Sequence, residues 1–227
     1  MIYDILSYVL HEGGIAVPSS TFFNLPDAKR QKLLTCARAE FSRVPYAEAS
    51  INRIIKAAGI PRGSFYMYFE DKGDLFRHLL NESIQQVITL MSHLLQEQDG
   101  DLFAAFLALF DFVQVQHRQD PSSHFAEELA AVLRLNNGLP EAAILFPCYS
   151  KGLIAPLLSL VDTSNLNLQK EGDLDEIIRL IFVSTAPLVY HGLLAEDPAQ
   201  TRADLVNVFA ILARGMKKNP APLITHS

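Results

Sequence analysis

Residues 57–72 read AAGIPRGSFYMYFEDK, and this stretch decides the fold. Gly59 suits the left-handed backbone conformation that ends a helix sharply, and Pro61 suits the first turn of the helix that follows. Upstream, Ser50 is a good N-cap for a helix whose apolar residues recur at helical spacing, namely Ile51, Ile54, Ile55 and Ala58. Two short helices joined by a tight turn predict a helix-turn-helix.

The predicted helix at 61–69 has two different faces. On a helical wheel Phe65 and Phe69 point to one side with Pro61, where they can pack on the preceding helices. Gly63 and Met67 point to the opposite side. The aromatic run therefore supplies both a core face and an outward face.

The outward face suits the major groove of a DNA duplex. A glycine at its centre lets the helix backbone approach a groove floor. On its flanks Arg62 can bond guanine edges or phosphate, and Ser64 and Tyr66 can donate to phosphate or base edges. Met67 can meet a thymine methyl group.

Charge is distributed unevenly along the chain. Residues 27–80 hold ten Lys/Arg against six Asp/Glu, a net of +4, whereas the rest holds nine against nineteen, a net of −10. A basic section on an acidic body is the expected footprint of local polyanion binding. Lys29 and Arg30 belong to it, on a predicted helix over 28–43 that precedes the other two.

These residues resemble the DNA-binding region of the TetR family of bacterial transcriptional regulators. The matching segments are KRQKLLTCARAEF and SINRIIKAAGIPRGSFYMYFEDKGDLF. The resemblance implies a homodimeric, ligand-responsive repressor that binds a palindromic operator on double-stranded DNA. By position it also implies DNA contacts from Ser50, Arg62, Gly63, Ser64, Tyr66, Tyr68 and Lys72. Met67 stands where the family often has histidine.

Helical spacing recurs nearly everywhere, so the fold class predicted is all-α. We expect a helix-turn-helix DNA-binding domain at 21–72, a larger helical regulatory and dimerisation domain at 73–217, and a flexible tail at 218–227. We expect residues 1–20 to be an N-terminal extension. Its first sixteen residues would be absent from the native protein if translation starts at Val17.

The regulatory domain is predicted to contain a helix from near Asp71 past Leu90, followed by helices at about 122–135, 140–160, 173–195 and 198–217. Residues 101–116, DLFAAFLALFDFVQVQ, are apolar on almost every side and predict a centrally buried helix. Pro147, Pro156 and Pro187 should kink their helices.

Kinked, phenylalanine-rich helices with a few hydroxyls can enclose a mostly apolar ligand site. The candidate ligand-binding residues are Phe106, Phe110, Phe125, Phe146, Tyr149, Phe182, Thr185 and Tyr190. They favour a small, apolar effector. Asp111 or Glu128 facing inward would instead suit a cation, and packing within the core is the alternative for the aromatic residues.

A further apolar stripe on the last predicted helix consists of Leu205, Val208, Phe209, Leu212 and Met216. It could pack within the subunit. Because the resembling family dimerises through its last two long helices, we favour a homodimer interface through residues 174–194 and 198–216.

Several function classes lack a signal in the sequence. No nucleophile–base pair, phosphate-cradling glycine loop or metal-ligand spacing is present, so we expect neither an enzyme, a cofactor nor a metal site. No apolar run is long enough to cross a membrane, and two cysteines suit a reducing cytoplasm. Two alternatives stay open: a helical protein–protein interaction module, and a ligand-binding protein or enzyme without specific DNA binding.

Overall fold

The computed structural model describes residues 18–119, 154–194 and 198–218. Several predictions therefore lie outside the described residues. They are the extension at 1–16, the start at Val17, the helix at 122–135, most of the helix at 140–160, the tail beyond Lys218, Glu128, Pro147, and the candidate ligand residues Phe125, Phe146 and Tyr149.

Throughout these ranges the regular secondary structure is helical, which confirms the all-α prediction. A single 3-10 turn, Tyr46–Glu48, and one isolated bridge between Leu166 and Lys217 accompany the helices. No helix within the described ranges combines the length and apolar character needed to cross a bilayer. The helices are α1 Ser20–Phe23, α2 Asp27–Arg43, α3 Ile51–Ala58, α4 Arg62–Tyr68, α5 Lys72–Glu97, α6 Leu102–Gln119, α7 Ala155–Leu158, α8 Asp173–Leu194 and α9 Pro198–Met216.

The described residues divide into two compact units. The first comprises residues 18–85, and the second comprises residues 86–119, 154–194 and 198–218. Helix α5 contributes its first half to one unit and its second half to the other. From the sequence the division was placed at Lys72, at the start of this helix.

An aromatic core organises the first unit. The rings of Phe22 and Phe69 lie 4.9 Å apart, and those of Phe65 and Phe69 lie 5.7 Å apart. Phe41 and Phe76 form a second close pair at 4.7 Å. All five side chains are almost fully buried, which confirms the burial predicted for Phe65 and Phe69. Pro61, which was predicted on the same side, is exposed.

The helix ends in this unit follow the local sequence signals. The Ser50 hydroxyl accepts a hydrogen bond from the Arg53 amide at 3.4 Å and caps α3. Gly59 ends α3 with φ 72° and ψ 35°, and its amide donates to the carbonyls of Ile55 and Lys56. This left-handed conformation costs a residue with a Cβ atom about 1 kcal/mol or more. Pro61 immediately precedes α4 instead of occupying its first position.

Helices α6 and α9 run antiparallel in the second unit. The rings of Phe103 and Phe209 lie 5.8 Å apart at one end. Toward the other end Arg202 binds both carboxylate oxygens of Asp111, at 2.7 and 2.9 Å. Helix α8 packs on both of these helices.

The central burial predicted for residues 101–116 is wrong for one side of α6. Leu102, Phe103, Phe106 and Phe110 are buried, but Phe112 is 40% exposed. An almost uniformly apolar helix has no polar side to mark its outward face, so its sequence overstates its burial. Pro156 also differs from the prediction, because it lies in the first turn of the short helix α7, where no kink results.

Two residues of the apolar stripe on α9 are buried inside the subunit. Leu205 and Phe209 are completely buried within the chain, where Phe209 contacts Phe103 and Phe106. The other three residues of the stripe, Val208, Leu212 and Met216, are half-buried. The exposed side of α9 carries Ile211, which is 60% exposed.

Candidate nucleic-acid interface

Helix α4 presents a free outward face opposite its buried Phe65. Arg62 and Gly63 are exposed, Tyr66 is 48% exposed and Met67 is 59% exposed. Ser64 is half-buried beside them. The structure thus brings these five predicted site residues together on one short helix.

Arg62 is held in place by two neighbours. Its guanidinium donates to the Asn52 side-chain oxygen at 3.1 Å, and it lies 5.9 Å from the centre of the Tyr66 ring. Cation–π contacts of this kind stabilise an exposed arginine by about 0.5–1 kcal/mol. A guanidinium fixed before binding loses less side-chain entropy when it meets a base edge or phosphate. Asn52 was absent from the predicted site, and its place at the start of α3 gave no signal of a role.

The space beside the Cα atom of Gly63 is open in the protein. A Cβ atom built there would meet no other atom within 4 Å. The backbone is ordinary helix, so neither packing nor conformation within the chain calls for glycine. Glycine is disfavoured in helices relative to alanine by up to about 1 kcal/mol. What glycine offers at this place is close approach from outside.

Three further predicted contacts have partners within the protein. The Ser50 hydroxyl caps α3. Tyr68 is half-buried, with its ring 6.3 Å from Phe22. The Lys72 ammonium donates to the carbonyl oxygens of Tyr46, Ala47 and Ala49 at 2.7, 3.3 and 3.0 Å.

The two basic residues predicted on α2 differ from each other. Lys29 is exposed near the start of the helix. Arg30 donates to the Asp27 carboxylate at 2.5 Å and to the Phe23 carbonyl at 3.1 Å. Arg30 therefore links α2 to the end of α1, and Lys29 keeps its charge at the surface.

The segment before α3 is fixed by a buried carboxylate that the sequence did not single out. Glu40 is only 7% exposed and accepts hydrogen bonds from the Ser50 amide at 2.9 Å and from Arg53 Nε at 2.7 Å. Arg43 adds a third at 2.8 Å. Burial alone would raise the pKa of Glu40, but these hydrogen bonds outweigh it and lower the pKa to about 2.

Because the pKa of Glu40 is lowered, the pH determines whether its hydrogen-bond network stabilises the fold. Because the folded-state pKa of Glu40 lies below its usual value of 4.5, its contribution is fully present above that pH. It is lost as the pH falls through 2. Near neutral pH the carboxylate of Glu40 is therefore permanently charged.

The predicted ligand residues lie in the second unit where they are described. Phe106 and Phe182 are buried with their rings 4.6 Å apart, and Phe110 is buried on the same side of α6. Thr185 is buried, and its hydroxyl donates to the Ile181 carbonyl at 2.7 Å. Tyr190 falls within α8.

Two polar residues add to this picture. The side-chain nitrogen of Gln114 is buried and has no hydrogen-bond partner in the described part of the chain. It was absent from the predicted set. Asp111 is paired with Arg202, whose pKa is raised by this hydrogen bond. That pairing compensates the charge of Asp111, which removes a reason to expect a cationic ligand there. The described part of the chain contains no group of three His, Cys, Asp or Glu side chains that could hold a metal ion.

Part of the first unit is similar to known proteins. The family model described as "Bacterial regulatory proteins, tetR family" matches residues 33–79. The chain is 37% identical over 68 residues to the uncharacterized HTH-type transcriptional regulator YdgC of Bacillus subtilis (strain 168), covering 30% of this chain and 35% of the relative. It is 32% identical over 65 residues to the HTH-type transcriptional repressor Rv1474c of Mycobacterium tuberculosis (strain ATCC 25618 / H37Rv), covering 29% and 35%. These matches span about a third of each relative's length.

A solved structure resembles the fold over a longer stretch. The tetR-family transcriptional regulator from Streptomyces coelicolor has a TM-score of 0.51 at 20% identity, over 84% of each chain. At this identity the likeness concerns the fold alone. The matched segment 33–79 contains α3, the turn at Gly59 and α4, which are the elements of the helix-turn-helix. Residues 33–79 are therefore similar to the DNA-binding domain of the tetR family of bacterial regulatory proteins.

Proposed function

We propose that the chain represses transcription by binding a palindromic operator as a homodimer and is released by a small, mostly apolar effector. The observation that carries the DNA-binding part is the outward face of α4, where Arg62, Gly63, Tyr66 and Met67 are exposed together around a position without a side chain. In a helix-turn-helix the second helix enters the major groove. The repressor role rests on the family resemblance and on the name of one relative.

Each residue on this face has a role that its chemistry supports. Arg62, held by Asn52, would bond a guanine edge or a phosphate, and Met67 would contact a thymine methyl group. Tyr66 and Ser64 would donate to phosphates beside them. Lys29, Arg30, Ser50 and Tyr68 would lie at the rim of the contact.

Replacing Arg62 with alanine tests the DNA-binding proposal. The wild-type protein is first used to select bound fragments from genomic DNA, and the selected operator is then titrated by fluorescence anisotropy at several salt concentrations. We expect wild-type affinity to fall steeply with salt. We expect Arg62→Ala to weaken specific binding by ~1–3 kcal/mol per half-site.

Lys170→Ala is the control for this titration. It removes one positive charge from an exposed residue of the second unit and should leave operator affinity unchanged. Full affinity in Arg62→Ala would remove Arg62 from the interface. A wild-type protein that selects no DNA, and instead captures a protein partner through the same face, would favour the interaction-module alternative.

The dimer proposal rests on exposed apolar side chains of α8 and α9. These two helices pack against each other. On their outer sides Leu180, Val183 and Ile211 are 51%, 42% and 60% exposed, respectively. Exposed large apolar residues on two helices that pack together are typical of a surface that a second subunit covers. Two recognition helices about 34 Å apart would then read an inverted repeat.

Ile211→Glu is expected to dissociate the dimer. A carboxylate placed inside an apolar interface loses its hydration without gaining a partner, and we expect the dimer dissociation constant to rise about 100-fold, or ~2.7 kcal/mol. Sedimentation velocity across a concentration series measures this change. Phe112→Glu is the matched control, because Phe112 is also an exposed apolar helix residue but lies on α6. Dimers of unchanged affinity in Ile211→Glu, or dissociation in both variants, would contradict an interface through α8 and α9.

The effector proposal rests on the aromatic interior of the second unit. Phe106, Phe110 and Phe182 would supply apolar contacts, and the unpartnered nitrogen of Gln114 would donate to one acceptor group of the ligand. Binding would favour dimers whose recognition helices no longer match successive major grooves. Adding candidate compounds to the operator titration measures release directly.

A further inference from the structure

The segment that joins α2 to α3 is held by charged side chains rather than by regular secondary structure. The segment contains only the 3-10 turn Tyr46–Glu48. The carbonyl groups of residues 46–49 accept hydrogen bonds from two cationic side chains. The Lys72 ammonium takes the carbonyls of Tyr46, Ala47 and Ala49, and Arg53 takes that of Glu48 at 2.7 Å. Four consecutive carbonyls therefore accept charge-assisted hydrogen bonds, which are roughly twice as strong as neutral ones.

The far end of the same segment is held by an anion. The buried carboxylate of Glu40 accepts the Ser50 amide at 2.9 Å and Arg53 Nε at 2.7 Å. Arg53 thus connects the two ends, because it binds both Glu40 and the Glu48 carbonyl. Ser50 is in turn the N-cap of α3. The start of α3 is consequently fixed from α2 by Glu40 and from α5 by Lys72.

The hydrogen bonds of Lys72 within the protein leave its ammonium group no free donor for a phosphate. An ammonium group has three N–H donors, and each has a carbonyl acceptor here. The same ammonium lies 4.5 Å from the centre of the Tyr46 ring. Tyr46 itself packs on Phe76, with ring centres 5.0 Å apart. Moving Lys72 onto a phosphate would break all of these contacts at once.

We propose that Lys72 and Glu40 are positioning residues for operator binding, which act through residues 45–50 on the placement of α3 and α4 without contacting DNA themselves. This inference rests on the proposed DNA-binding function. It assigns Lys72 a different role from the phosphate contact that the family resemblance implies. A short loop clamped from two sides holds Ser50 and α4 in a binding-competent arrangement before DNA arrives, which reduces the ordering cost of association.

The salt dependence of operator binding separates positioning from direct contact. Each phosphate contact contributes about 0.9 to the slope of log K against log salt, hence about 1.8 for the two Lys72 side chains of a dimer. We expect Lys72→Met to weaken operator binding about tenfold with an unchanged slope, and Lys72→Arg to recover most of the affinity. Glu40→Gln, which keeps the side-chain shape, should also weaken binding at an unchanged slope. A slope shallower by about 1.8 in Lys72→Met would overturn the proposal, as would unchanged affinity in both Lys72→Met and Glu40→Gln.

A second measurement on the free, full-length protein makes the outcome independent of whether an operator is found. Amide hydrogen exchange at Ser50 should be faster in Lys72→Met and Glu40→Gln than in the wild type, and unchanged in Arg62→Ala. Thermal unfolding shows in parallel that each variant is folded. If the wild-type protein does not bind DNA, the proposed function is wrong. The exchange pattern would still support the clamp, by which we mean the hold of Lys72 and Glu40 on residues 45–50. Unchanged exchange at Ser50 in the two clamp variants would overturn the clamp itself.

Discussion

Phe65→Ala is expected to lower the free energy of unfolding of the first unit by ~3–5 kcal/mol, the usual cost of truncating a buried phenylalanine. Phe65 has no exposed surface, and its ring contacts Phe69 at 5.7 Å within the core that α1, α2 and α5 share. Helix α4 has only seven residues, far too few to be stable alone in water. Loss of its one fully buried anchor should therefore loosen the whole helix. Urea denaturation and hydrogen exchange of first-unit amides measure the effect.

Met67→Ala is the matched control, two positions along the same helix. Its side chain is 59% exposed, so truncation should change the free energy of unfolding by less than about 0.5 kcal/mol. At the operator Met67→Ala should lower affinity through loss of a base contact, although the protein stays folded. Equal destabilisation by the two substitutions would contradict the assignment of one inward and one outward face to α4.

The helix-turn-helix could be predicted because its signals are local in sequence. Ser50 caps the helix that starts one residue later, and Gly59 ends it with its own backbone conformation. Phe65 and Phe69 lie one helical turn apart, so their common burial follows from periodicity alone. Each of these features depends on residues within a few positions of one another, and the structure confirms each of them.

The clamp on residues 45–50 could not be predicted because it joins distant residues. Lys72 binds a carbonyl 26 positions away, and Glu40 binds an amide ten positions away. A carboxylate beside Phe41 in a helix is usually solvated, and nothing in its neighbours indicates burial. Every residue has a backbone carbonyl, so the sequence does not show which carbonyls accept a hydrogen bond from a lysine. From the sequence, Lys72 therefore cannot be distinguished from a solvated surface lysine.

The apolar stripe of α9 illustrates a different limit. The spacing of Leu205 and Phe209 shows that one side of the helix is buried, and it is. The spacing does not show whether the same chain or a second subunit provides the cover, because both present apolar surface. The dimer proposal therefore rests on exposed apolar residues, which are Leu180 and Val183 of α8 and Ile211 of α9.

Gly63→Leu is expected to lower operator affinity strongly without lowering the stability of the fold. In the free protein a leucine side chain at this position starts from open space, and leucine favours helices over glycine by up to ~1 kcal/mol. The melting temperature should therefore stay equal or rise slightly. At the operator the same side chain would stand between the α4 backbone and the groove floor. We expect affinity to fall about 100-fold, or ~2.7 kcal/mol.

Gly63→Ala is the graded control, since one methyl group fills much less of the gap and should cost clearly less affinity than leucine. Thermal unfolding and operator titration of both variants are compared with the wild type at one salt concentration. Full operator affinity in Gly63→Leu would mean that α4 does not approach DNA through Gly63, whatever Arg62 does. If operator affinity falls as the side chain grows while the melting temperature does not, the groove floor must lie against this position. No other described part of the protein lies within 4 Å of a Cβ atom there.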